Sequence, residues 1–244
     1  VSPVVVERVP PVRVGRDRID VPVAVAVWLV SWFAGQLLFQ IVALAFGESP
    51  GDAVTSIGAL ALGISATWSA YMVGLWWAST RAGSGNPIED YAVAFDSRDL
   101  LAVPIGVLAQ LVLIPVVYMP LRALWPDTFT QDRLEETARD LVERAGGTSM
   151  VMLVLVVVVG APIVEELVYR GLLQQSFAAR INDPLALVAA SLWFAVIHFR
   201  PLEYPGLFVA GLVFGACFLV TGRLTTAIVA HAAFNLTGLL AVWP

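Results

Sequence analysis

"SMVMLVLVVVVGAPIVEELVYRGL", residues 149–172, is the stretch on which the fold turns. It begins as an unbroken apolar run from Met150 to Gly160, and with its flanks it reaches the roughly 20 residues that a membrane-crossing helix needs. Yet it carries two adjacent carboxylates, Glu165 and Glu166, and a guanidinium, Arg170. An ionised side chain at mid-bilayer costs about 2.5–3.5 kcal/mol on insertion scales, so these groups need partners, a proton or water. On a helix Glu166 and Arg170 share a face and can pair, whereas Glu165 points about 100° away, toward whatever the neighbouring helices supply. The two acids therefore have different tasks. Glu166 with Arg170 reads as a structural ion pair, and Glu165 as a general acid or base.

The rest of the chain fits the same solvent. It is 59% hydrophobic and only 14% charged over 244 residues, with a mean hydropathy of +0.82, which is the composition of a polytopic membrane protein. Apolar stretches at 21–46, 53–78, 100–121, 149–172, 185–199, 205–220 and 224–243 predict an all-α bundle of about seven transmembrane helices. Residues 1–20, rich in Pro and Arg, predict a disordered cytoplasmic tail. The organisation that follows is N-terminal transmembrane helices at 21–121, an extramembrane amphipathic helix within 122–148, and a last set of helices at 149–244. In the polar insert Leu134, Ala138, Leu141 and Val142 fall on one face, while Glu135 with Arg139 and Asp140 with Arg144 form favourable pairs on the other. That helix is expected on the membrane surface.

The net charge of -5 leaves no basic stripe for phosphates and excludes a nucleic-acid partner. Every basic side chain is Arg, and with abundant Ala and Val this points to a bacterial cell membrane. Arg in the tail, then an acidic "GESPGD" connection, then Arg81 and Arg98, predicts a cytoplasmic N-terminus. The lone Cys217 reads as a small buried side chain, and Gly211 with Gly215 as a site of close helix packing.

Only two histidines occur in the chain, and both sit in apolar segments after the paired acids: His198 at the end of "FAVIH" and His231 at the start of "HAAFN". His231 and Asn235 are one turn apart, so an imidazole and a carboxamide can point at one spot, as an oxyanion hole requires.

Glu165-Glu166-x-x-x-Arg170, Phe194-x-x-x-His198 and His231-x-x-x-Asn235, in that order on three late helices, resemble the CAAX protease and bacteriocin-processing superfamily of intramembrane proteases, related to the Rce-type CAAX endopeptidases. The resemblance implies an intramembrane endopeptidase in which Glu165 and His198 activate a water while His231 and Asn235 stabilise the tetrahedral intermediate. It implies no required cofactor; zinc held by Glu165, His198 and His231 stays open as an alternative. The implied partners are the lipid bilayer and a membrane-anchored peptide or protein substrate. A non-proteolytic adaptor or bacteriocin-immunity protein, working on another membrane protein, is the competing function. A transporter is the weakest reading, because no repeated halves are visible. One tension accompanies the spans: His198 lies about 21 Å into the fifth and His231 only about 10 Å into the seventh, so the two histidines fall at different depths.

Overall fold

A computed structural model describes residues 19–49 and 56–243. The expected tail, apart from Ile19 and Asp20, and part of the first acidic connection lie outside the described residues. The molecule is an all-helical membrane bundle. Its elements are α1 (Val21–Ala45) and α2 (Ile57–Ala82), α3 (Ser97–Leu124), α4 (Gln131–Arg144), α5 (Thr148–Ala178), α6 (Asp183–Val196), α7 (Tyr204–Thr221) and α8 (Leu224–Ala241). Among the described residues, six of these are long and apolar enough to cross a membrane, and α6 is a shorter apolar helix. The starts follow local chemistry. Asn182 caps α6 and Thr130 caps α4 through their side-chain oxygens, and proline stands in the first turn of α1, α6 and α7. Gly222, left-handed at φ +68°, ends α7 and lets α8 begin at once.

Contacts between chain-distant residues define the two ends of the bundle. At one, Asp20 pairs with Arg180 at 2.6 Å, and Asp90 accepts from Ser79 at 2.6 Å. Tyr91 there gives its hydroxyl to the Leu75 carbonyl, and burial pushes its phenol well above the usual range. At the other end the Tyr118 hydroxyl donates to the Leu202 carbonyl at 2.8 Å. The amphipathic α4 presses Val142 onto Leu153, Leu239 and Val242 there, while Glu135–Arg139 and Asp140–Arg144 pair along its exposed face.

Two of the long helices are not uniform. In α3 a π-helical stretch, Ala109–Leu113, stands just before Pro115, and in α5 another, Leu155–Gly160, stands just before Pro162. Proline lacks an N–H and its ring collides with the carbonyl one turn back, so widening the preceding turn removes the collision and frees carbonyls for other donors. A third such stretch, Leu167–Gln174, follows the paired acids. The single regular segment between the last two, Ala161–Glu166, carries both glutamates.

The mismatch in histidine depth disappears once the lengths of the hairpin arms are compared. From Glu165 to the end of α5 is about 20 Å, and α6 climbs back about 22 Å to reach His198. From Phe214 to the end of α7 is about 10 Å, and α8 returns about 10 Å to His231. A long hairpin and a short one therefore bring their functional residues to one level. His198 itself lies beyond the end of α6 rather than inside a helix, because α6 stops at Val196.

Small residues let α3 and α7 approach their neighbours. A Cβ at Gly106 would meet the Ala230 carbonyl at 2.1 Å, which leaves room only for glycine where α3 crosses α8. Gly211 and Gly215 pack against Ser191 and Leu187 of α6, and their carbonyls accept from Arg170 and Gln174 of α5. Gly106→Val should therefore push α8 outward, costing about 1–3 kcal/mol as overpacking does. A lowered melting midpoint of the purified protein would record it, and an unchanged midpoint would contradict the close crossing.

Candidate active site

The site is built from the buried acid outward. Glu166 is fully buried, and its Oε1 accepts from Arg170 Nη1 at 2.8 Å and from His231 Nδ1 at 2.8 Å. Arg170, also fully buried, donates through Nη2 to the Gly211 carbonyl at 2.8 Å and lies 4.9 Å from the Phe194 ring and 5.6 Å from that of Phe214. An isolated charge here would be costly; the pair gives each charge an opposite charge and a hydrogen bond, and the Arg170 guanidinium also lies against two aromatic faces. The expected ion pair is therefore present, and it continues into the site through His231.

That contact fixes the imidazole. Glu166 Oε1 is shared between the Arg170 guanidinium and His231 Nδ1, so Nδ1 is the nitrogen that donates and Nε2 faces the other way. The ring is stacked on Phe214 at 4.3 Å between centroids and meets Phe194 edge-on at 5.9 Å, so it has little freedom to turn. Its Nε2 stands 3.9 Å from Glu165 Oε2. The geometry thus gives Glu165 a histidine neighbour different from the one expected: no hydrogen bond joins Glu165 to His198 among the described residues. His198 Nδ1 instead donates to the Phe194 carbonyl at 2.6 Å, with its ring edge-on to Phe194 at 4.8 Å. This leaves Nε2 unengaged. The next residue, Phe199, turns the chain sharply at φ +53°, a conformation that costs about 1–3 kcal/mol in a non-glycine residue and recurs at functional sites. Asn235 donates through Nδ2 to the Val157 carbonyl at 2.8 Å, in the π-helical stretch of α5.

Glu165, His198, His231 and Asn235 line one cavity of about 540 Å³. Glu166 and Arg170 lie behind its wall. The cavity runs from mid-bundle toward the end where α1 finishes, and its far wall comes from α1 and α2, including Trp32, Gln36, Gln40, Trp68 and Tyr71. This wall lies outside the three late motifs. The available signal was the pair Gln36 and Gln40, carboxamides one turn apart in an otherwise apolar span.

The donor set does not fit zinc as it stands. Protein ligands approach zinc to about 2.0–2.2 Å from several directions, and among the described residues no group of three His, Cys, Asp or Glu side chains converges in that way.

The α8 helix that carries His231 and Asn235 is held at its start by one carboxylate. Asp99, fully buried at the beginning of α3, accepts from Arg223 at 2.7 and 2.9 Å, from Thr225 at 2.7 Å and from Thr226 at 2.5 Å. The same carboxylate pushes the Arg223 guanidinium further up from its already high range. Asp99→Ala should strip α8 of this anchor and lower both stability and activity. A variant that melts and works like wild type would show the anchor to be dispensable.

Residues 147–237 match the model of the Rce1-like family, type II CAAX prenyl endopeptidases. The matched segment contains Glu165, His198, His231 and Asn235 and ends just past the last of them, while the rest of the chain lies outside the match. Neither a curated protein nor a solved structure gave a match.

Proposed function

We propose that this chain is an intramembrane endopeptidase of CAAX type that cleaves a membrane-associated peptide or protein with an activated water. The observation that carries the reading is the convergence of Glu165, His198, His231 and Asn235 on one cavity inside an apolar bundle. The Rce1-like match over the same helices supports it.

In this mechanism a water sits between Glu165 and the free Nε2 of His198. Glu165 takes a proton from it as the oxygen attacks the scissile carbonyl, forming the new C–O bond and moving the carbonyl π electrons onto oxygen. The resulting oxyanion is met by the second N–H of the Asn235 carboxamide, and His231 Nε2 faces the same pocket as a further donor when that nitrogen binds a proton from solvent. Glu166 holds the His231 ring in place throughout, with Arg170 balancing its charge. When the intermediate collapses, the C–N bond breaks and the proton held by Glu165 passes to the leaving amine. No Ser or Cys nucleophile enters, and Cys217 lies outside the cavity lining. The helices of 149–244 perform the chemistry in a bacterial cell membrane, with the N-terminal end in the cytoplasm.

The test is a comparison of membrane peptides from cells making wild type or Glu165→Ala at equal levels. Products found only with wild type are expected, and they should persist when purified enzyme is treated with a chelator. Loss of activity on chelation would overturn the metal-free mechanism. Identical peptide profiles, together with an unchanged phenotype of the Glu165→Ala, His198→Ala double variant, would replace the peptidase reading by the adaptor one.

A further inference from the structure

We infer that Gln36 and Gln40 of α1 form a hydrogen-bonding rail that holds the backbone of an extended peptide segment along the wall of the cavity. The inference names the form in which the substrate of the proposed peptidase is held, and so rests on that reading for its direction.

Both carboxamides line the same cavity as Glu165 and His231, and both are exposed to it. Neither is engaged in a hydrogen bond with any described residue. Beside them in the wall stand Trp32, Phe39, Ile64 and Trp68, together with Thr67, whose hydroxyl is already given to the Gly35 and Gly63 carbonyls. Polar side chains within a membrane span are unfavourable without partners, so a pair of them facing a cavity points to an occupant that supplies the missing partners.

The spacing identifies that occupant. Residues four apart on a helix are displaced by about 6 Å along its axis. In an extended chain, residues two apart are displaced by about 6.4–6.8 Å and present their N–H and C=O groups on the same edge. Each Gln offers both an acceptor and a donor, which is the complement of one residue's N–H and C=O. Gln36 and Gln40 can therefore pair with residues n and n+2 of one extended strand lying along α1. An intact transmembrane helix has no use for them, because its backbone groups are already bonded internally. A lipid tail has no groups to pair. The substrate is thus a segment already unwound where it is cut, such as the extended tail of an anchored peptide.

The test uses the full chain in nanodiscs on a Glu165→Ala background, so that bound probe is not consumed. The probe is a fluorescent, N-palmitoylated short peptide, compared with versions in which single backbone amides are replaced by esters. Adding Gln36→Leu and Gln40→Leu should weaken binding about thirtyfold or more, as the loss of four hydrogen bonds, two at each Gln, implies. Ester replacement at one or two alternate positions should weaken binding to the parent and leave binding to the Leu variant unchanged. Leucine is at home in a membrane span, and elution of the variants as a single species confirms that they fold. No binding to the parent, equal binding to both proteins, or equal ester penalties in both would overturn the rail. Cleavage of the same probe by protein with Glu165 intact is followed in parallel. Gln-dependent binding without cleavage would sink the peptidase reading and keep the rail, whereas cleavage with Gln-independent binding would do the reverse.

Discussion

Glu165→Gln will lower kcat by about two to four orders of magnitude while leaving KM within a few-fold, because the change removes the proton acceptor and keeps the shape of the wall. Glu165 lines the cavity, while its sequence neighbour Glu166 is wholly enclosed and already shared between a guanidinium and an imidazole. Only the first can meet a water and then return a proton to a leaving amine. Initial rates on a peptide cut by wild type, measured at equal protein levels, decide the matter. A variant that keeps activity within tenfold of wild type would remove Glu165 from the role of base and would shift attention to the free nitrogen of His198.

Arg170→Met should give the largest loss of stability. It leaves the Glu166 carboxylate enclosed without its opposite charge, and breaking one side of a buried pair costs about 3–5 kcal/mol. For a chain of this size that is a fall in melting midpoint of about 6–20 °C. Removing both charges with Glu166→Leu and Arg170→Met should recover much of it, since apolar residues of similar volume are tolerated where a buried pair stood. The double variant also separates stability from positioning. His231 loses the acceptor for Nδ1, so the protein should be folded and nearly inactive. A double variant as active as wild type would show that the pair only fills space, and a single variant that melts like wild type would show that water reaches Glu166.

The helices were legible because a bilayer demands long apolar runs, and the three polar motifs stood out against that background. What the sequence could not give was depth. The position of His198 relative to His231 depends on the unequal arms of two hairpins, and no local pattern records how far α5 extends before it turns. The Glu166–His231 contact joins residues 65 apart, and it was hidden for the same reason: periodicity explains the pairing of Glu166 with Arg170 on its own helix and says nothing of the helix that faces it. The π-helical stretches were also invisible to hydropathy, although Pro115 and Pro162 mark where the first two fall. The wall formed by α1 and α2 escaped because its polar signal, Gln36 and Gln40, belongs to none of the three motifs.

The carboxylate of Asp99 has a wider consequence. It belongs to α3, outside the segment similar to known endopeptidases, yet it ties down the first residues of the helix that presents His231 and Asn235. The similar segment is therefore not an autonomous unit. Excised at its boundary, it would lose the clasp at the foot of its last helix and one whole side of its reaction chamber, so the two halves of this chain form a single machine despite their unequal likeness to known families.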